Sequence, residues 1–239
     1  MTNLTENNPP KWTRAVAWFT NPKGMNNDKK LRQAVNGKVV LITGASFGIG
    51  EATAQRMAAM GAIVVLVARS ADKLEQVAAA IRATGGKAFT YTTDLSKPDD
   101  AKKLAEDILR DHGHVDVLIN NAGRSIRRSI SLSVNRFHDF ERTMAINYLG
   151  PVQLVLALLP SMQARKQGHI VNISTWGVRM PPGARWSAYQ ASKGAFDTWL
   201  RSVALEIKAD GITTTSIYPA IVYTRMSAPT PGMHSLPGM

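Results

Sequence analysis

There is no cysteine among the 239 residues. That excludes disulfides, thiolate zinc sites, iron–sulfur ligation and a cysteine nucleophile. A thioester substrate would have to react without a thioacyl–cysteine intermediate. Long apolar runs are also missing. A membrane span needs about 18 consecutive apolar residues, and the nearest stretch, Ala145–Leu159, is interrupted by Asn147, Gly150, Pro151 and Gln153. The first ten residues are polar and lack the apolar segment of a secretory signal. These absences predict a soluble, cytoplasmic protein, with peripheral contact at a membrane surface left open.

Acidic residues are few: 17 Asp and Glu stand against 29 Lys and Arg, a net charge of +12. Such an excess favours anionic partners. Residues 1–36 hold six basic and two acidic residues, a net of +4, which leaves +8 spread over the rest. A dispersed charge argues against a nucleic-acid partner and suits a phosphate-bearing small molecule. With 44% apolar and 19% charged residues the chain is not disordered, and its length suffices for a sizeable core.

Two regions are expected. Residues 1–36 form a basic N-terminal extension in which Trp12–Phe19 could make an amphipathic turn or two. That segment reads either as a membrane-surface anchor or as an arm on a neighbouring subunit. Residues 37–239 form one domain in which apolar strands alternate with helices. Strands are predicted at Lys38–Thr43, Ala62–Ala68, Lys87–Thr93, Val115–Asn120, His169–Ser174 and Ile212–Ile217. Helices are predicted at Gly48–Met60, Ala71–Thr84, Lys97–Asp111, Ser133–Gln163 and Ser187–Asp210. The alternation gives an α/β class, a doubly wound parallel sheet with helices on both faces. The tail Ser227–Met239 is rich in Pro, Gly and Met and offers no strand. The sheet is therefore expected to lack a last strand, as in a truncated form of a longer protein.

The first strand runs into Thr43-Gly44-Ala45-Ser46-Phe47-Gly48-Ile49-Gly50. Glycines at 44, 48 and 50 let backbone approach a pyrophosphate, whose charge then meets the N-terminus of the following helix. The alternative is a purely structural glycine turn. After the second strand, where a carboxylate would hold the ribose of NAD, stand Arg69 and Ser70, with Lys73 a turn later. A guanidinium can grip a 2′-phosphate, so the expected cofactor is NADP(H). Otherwise Arg69 is a surface residue paired with Asp72 or Glu75. Asp94 and Leu95, after strand three, are expected beside the adenine.

Tyr189 and Lys193 lie four apart on one helix face. A phenol with a pKa near 10 is a poor acid–base group at neutral pH unless a neighbouring cation stabilises its anion. Together with the glycine loop, Asn120-Asn121-Ala122-Gly123 after strand four, Asn147 and Tyr189-x-x-x-Lys193, the sequence resembles the short-chain dehydrogenase/reductase family over about residues 37–226. The resemblance implies a Rossmann fold. It implies Tyr189 as general acid, Lys193 on the nicotinamide ribose, Asn147 in a proton relay, and Asn121, Ala122 and Gly123 along the adenosine. It further implies that Pro219, Val222 and Thr224 belong to a loop in which Thr224 holds the carboxamide. The catalytic hydroxyl falls on Thr175 when counted from Gly168 and Asn172, and on Ser174 when counted back from Gly177. Either fits.

Three runs, Ile119–Ser129, Arg136–Met144 and Thr224–Thr230, are similar to the bacterial fatty acyl-CoA reductase branch. That resemblance implies acyl-CoA or fatty aldehyde as substrate, and a homodimer or homotetramer through the two long helices. Arg124, Arg127 and Arg128 could meet the phosphates of coenzyme A, or pair with Asp139 and Glu141. The alternatives are a reductase of another hydrophobic ketone or alcohol, and a non-catalytic NADP-binding protein. His112 and His114 flank Gly113 without the further ligands a metal site needs.

Overall fold

The structure, a computed structural model, describes residues 27–227. Trp12–Phe19 and the tail beyond Ser227 lie outside the described residues. Residues 27–219 form one compact unit, and residues from 220 onward belong to a second, taken by itself.

Among the described residues six strands form the sheet: β1 (Val39–Thr43), β2 (Ile63–Ala68), β3 (Lys87–Thr92), β4 (Val117–Asn120), β5 (Gly168–Ile173) and β6 (Ile212–Ile217). All neighbours pair in parallel, in the order β3-β2-β1-β4-β5-β6. The apolar, β-branched runs explain the centre. Every residue of β1 is buried, as expected of a strand covered on both faces. Alternate residues then serve opposite layers. Val40, Ile42, Val64 and Leu66 pack with Val35 of α1 (Asp28–Val35), Ala54 and Ala58 of α2 (Gly48–Ala59), and Leu74 and Ile81 of α3 (Ala71–Ala83). Leu41, Val65, Leu118 and Ile170 pack with Leu104 and Ile108 of α4 (Pro98–His112), Leu154 and Leu158 of α6 (Gly150–Arg165), and Phe196 and Leu200 of α7 (Ser187–Ile207). The result is a three-layer, doubly wound sandwich. β6 is its edge among the described residues, and Ile217 there is 46% exposed.

Two details depart from the sequence reading. α1 lies within the stretch read as an extension, and its Val35 joins the core of the domain. The long helix predicted from Ser133 starts instead as α5 (Phe137–Met144), passes through a π turn at Ala145–Leu149, and continues as α6. As one rod, Phe137–Arg165 is long and apolar enough by length and composition to cross a bilayer. Here Leu154, Val155, Leu158 and Met162 are buried in the core.

Candidate active site

β1 and β4 are neighbours in space although two βα units separate them in sequence, so the sheet changes winding direction between them. Ligands of such sheets bind at the carboxyl ends of strands at that point. The glycine turn and the Asn120–Gly123 segment meet there. Thr43 Oγ1 accepts from the backbone N–H of Asn121 (3.0 Å) and of Ala122 (2.9 Å). Asn121 Nδ2 donates to the carbonyls of Thr43 (2.9 Å) and Gly44 (3.2 Å). Gly44 has φ +67°, and a Cβ on it would lie 2.9 Å from Ala122 Cα. A Cβ on Gly50 would lie 2.3 Å from the Gly44 carbonyl oxygen. Both side chains are therefore excluded by backbone, and Gly48, Ile49 and Gly50 open α2 directly from the turn, with Phe47 extended before them at φ −169°. Ser46, Phe47, Gly48 and Ile49 are half-buried at its rim. The turn offers backbone N–H groups at a helix N-terminus, the arrangement that suits a pyrophosphate.

Arg69, Ser70 and Lys73 are exposed at the end of β2 and the start of α3. Asp94 follows β3. Burial raises its pKa, but hydrogen bonds from Ser96 Oγ (2.8 Å) and N–H (3.0 Å) and the charges of Arg69 and Lys97 outweigh that and hold it below the usual carboxylate range. Arg69 and Asp94 thus share one rim, while Leu95 is buried beneath it. The residues present fit a dinucleotide: a backbone cradle too close for side chains, and a cation where a ribose 2′-substituent would lie.

The second half of the site comes from β5 and α7. Lys193 is buried, and its Nζ donates to the carbonyl of Ile173, the last residue of β5, at 2.9 Å. Burial pushes its pKa down to about 8. Burial pushes the Tyr189 phenol up, opposed by a hydrogen bond with the Thr175 side chain. Tyr189 is therefore a protonated phenol at neutral pH, near Thr175, whose Oγ1 accepts from the Gly177 N–H at 3.3 Å. Ser174 is different: its Oγ is sealed from solvent and has no hydrogen-bond partner among the described residues.

Asn147 sits on the π turn, a feature that re-aims one side chain within a helix. Its Oδ1 accepts from the Arg124 N–H (2.8 Å), and its Nδ2 donates to the Arg124 carbonyl (2.9 Å) and to Ser192 Oγ (2.9 Å). Ser192 in turn donates to the Tyr189 carbonyl (2.9 Å). Gly123 lies against both: a Cβ on it would be 3.0 Å from Asn147 Oδ1 and 3.3 Å from Lys193 Nζ. One hydrogen-bond chain thus ties the loop after β4 to the helix that carries Tyr189 and Lys193.

Three contributors escaped the sequence reading. Ser192 was visible as the Ser of Tyr-Gln-Ala-Ser-Lys, and Thr43 as a polar end to an apolar strand. Trp186, whose ring centre is 5.9 Å from that of Tyr189, carried no signal. Of the three arginines after β4, Arg128 pairs with Asp139 at 3.2 Å, Arg127 lies over Trp186 at 6.0 Å from the ring centre, and Arg124 is exposed. Pro219 accepts from the Trp176 N–H at 3.1 Å. Val222 and Thr224 fall in the second unit, where the Thr224 N–H donates to Ser227 Oγ and that hydroxyl lies 2.9 Å from the Val222 carbonyl. His112 Nε2 is 3.1 Å from the Tyr91 hydroxyl, and His114 pairs with Asp116.

A glycine turn at the switch point of a parallel sheet, together with a buried lysine and a tyrosine on the helix after β5, defines a dinucleotide-binding class of α/β fold. The family model for short chain dehydrogenases matches residues 38–234, and the chain belongs to that family. It is 52% identical over 199 residues to a fatty acyl-CoA reductase of Acinetobacter baylyi, covering 83% of this chain and 67% of the relative. It is 50% identical over 205 residues to an uncharacterized oxidoreductase of Mycobacterium bovis, covering 84% of this chain and 60% of that protein. The chain thus spans about 60% of the length of that relative. Among solved structures, a metagenomic short-chain oxidoreductase in complex with NADP aligns with a TM-score of 0.74 at 36% identity, covering 79% of this chain and 85% of the other.

Proposed function

We propose that the protein is an NADPH-dependent reductase of long-chain fatty acyl-CoA, yielding the fatty aldehyde and free coenzyme A. The observation that carries the reductive chemistry is geometric: Lys193, one helical turn from Tyr189, is buried and fixed by the Ile173 carbonyl at 2.9 Å, and Asn147 and Ser192 tie the same helix to the loop after β4. The substrate class is supported by the 52% identity to the Acinetobacter baylyi fatty acyl-CoA reductase.

NADPH would lie with its pyrophosphate on the turn Gly44–Gly50, its 2′-phosphate near Arg69, Ser70 and Lys73, and its nicotinamide ribose toward Lys193. Bound there, it supplies a hydride for the substrate carbonyl carbon. The protein's share is to hold and protonate the oxygen. Thr175 donates to the carbonyl oxygen and polarises it, and Tyr189 delivers the proton as negative charge develops there. Lys193, charged below about pH 8, stabilises the phenolate left behind and is itself fixed by Ile173. Asn147 keeps the loop after β4 in register with that pair. A thiohemiacetal formed from the thioester expels the thiol without covalent attachment to the protein, consistent with a chain that has no cysteine. Exposed Leu149, Leu156 and Leu205 on the π turn, α6 and α7 support a dimer through those helices.

The test is NADPH oxidation by purified protein against a panel of acyl-CoAs, fatty aldehydes and ketones. Turnover of long-chain acyl-CoA with release of free thiol is the expected outcome. Turnover of ketones alone would assign the site to the other hydrophobic-carbonyl reading. Tight NADPH binding with no acceptor at all would make the protein a binding module.

A further inference from the structure

The segment between β4 and α5 displays apolar side chains in a way the reaction does not explain. Ile130 is 71% exposed, Leu132 67%, Val134 76% and Phe137 71%. The alternate residue Ser133 is buried and donates through Oγ to the Ser129 carbonyl at 2.9 Å. The backbone is thus pinned by its small polar residue while its bulky apolar ones project outward. Folding normally hides such residues, and a contiguous run of them marks a surface meant to be covered. The surroundings are cationic. Residues 124–142 hold five arginines against Asp139 and Glu141, a net of +3. Asp139 is buried beneath Arg128, Arg136 and Arg142 and offers no charge to solvent.

We propose that the ridge Ile130–Phe137 seats the protein on an anionic lipid surface, its apolar side chains entering the acyl boundary and the arginines lying at the headgroups. Apolar anchors ringed by arginine are the combination that binds such interfaces. The charge argues against a second copy as the covering partner. Two such faces would bring like charges together, which an interface penalises. Phe137 stacks with Phe140, ring centres 6.4 Å apart. Phe140, Ile126 and Ala188 line a small cleft together with Arg128 and Arg185. Docking does not depend on the proposed substrate, and the vesicle experiment uses none, so failure of either reading is seen separately.

The experiment is flotation of the full chain with phosphatidylcholine vesicles, with and without phosphatidylglycerol, at low and high salt. A triple variant, Leu132→Ser/Val134→Ser/Phe137→Ser, is run beside it. All three side chains are exposed, so the fold is retained, which melting temperature and NADPH binding check. The native chain should float with phosphatidylglycerol vesicles and be released by salt, and the variant should partition at least ~10-fold less. Sedimentation velocity without lipid supplies the rival outcome. A native chain that ignores anionic vesicles overturns the proposal, as does a variant that binds them equally well. A ridge whose substitution splits a dimer while vesicles bind neither form belongs to a second copy.

Discussion

Lys193 donates from the inside of α7 to the carbonyl of Ile173, the last residue of β5, at 2.9 Å. An ammonium buried in this way is costly to keep charged, and burial alone brings its pKa down to about 8. The bond both clamps α7 to the sheet and fixes where the charge lies. It also leaves Lys193 poised to lose that charge within an accessible pH range.

The first prediction follows from that value. Lys193 is protonated below about pH 8 and neutral above it. The phenolate formed at Tyr189 needs the charge, so kcat/KM should be level below that pH. It should then fall about tenfold per unit above it, one proton being lost. Lys193→Arg keeps its charge and should retain activity at higher pH, though at a reduced level. A rate that rises through pH 8 in the native enzyme contradicts the assignment.

The second concerns the hydroxyl that holds the substrate oxygen. The Thr175 hydroxyl lies near the Tyr189 phenol and opposes the rise in its pKa, whereas Ser174 Oγ is sealed without a partner among the described residues. Thr175→Ala should lower kcat by about 10²-fold or more, with NADPH affinity nearly unchanged. Ser174→Ala should cost little activity. Tyr189→Phe should fall at least as far as Thr175→Ala. Comparable losses in Ser174→Ala and Thr175→Ala would leave neither as the polarising group.

Much of this was legible beforehand because each element announced itself chemically. The runs Val39–Thr43 and Ile63–Ala68 are continuous and β-branched, as only strands buried on both faces need be. The glycines at 44 and 50 are forced by backbone contacts that no side chain survives. What stayed hidden depended on packing. α1 is only eight residues long and keeps one buried apolar residue, Val35, among mostly polar and charged ones, so it was read as part of the basic extension. Nothing in Ala145–Leu149 distinguishes a π turn from ordinary helix, yet that turn aims Asn147 at Arg124 and Ser192. The choice between Ser174 and Thr175 was ambiguous by one residue in the motif, and what bears on it is packing, which buries Ser174 and leaves Thr175 partly exposed. Trp186 reaches Tyr189 from a loop whose sequence, rich in Pro, Gly and Arg, carries no pattern at all.

The third prediction tests cofactor choice. Arg69 is exposed at the end of β2, and its charge acts on Asp94 across the rim. Arg69→Asp replaces a cation that can hold a 2′-phosphate by an anion that repels it and accepts from a ribose hydroxyl. The ratio of kcat/KM for NADPH over NADH should fall by about tenfold or more. Identical ratios for the native and substituted enzymes would remove Arg69 from the cofactor site.

The last prediction is about stability. The Asp139 carboxylate is 3% exposed and meets Arg136 at 2.9 Å, Arg128 at 3.2 Å and Arg142. The hydrogen bond from Arg136, followed by that from Arg142, holds its pKa well below the usual carboxylate range against the opposing effect of burial. Asp139→Asn keeps the shape and leaves those guanidiniums facing one another. Removing one member of a buried pair costs about 3–5 kcal/mol, and partial solvent access of the arginines reduces the expected loss to about 2–3 kcal/mol. The pH dependence has a definite sign. Because the folded carboxyl binds its proton more weakly than the unfolded one, its contribution is complete above about pH 4 and is lost as pH falls further. Chemical denaturation at neutral pH should therefore separate the native and Asp139→Asn proteins clearly, and the gap should narrow as the pH is lowered below 4. A gap that stays constant with acidification would mean that the loss comes from packing rather than from charge.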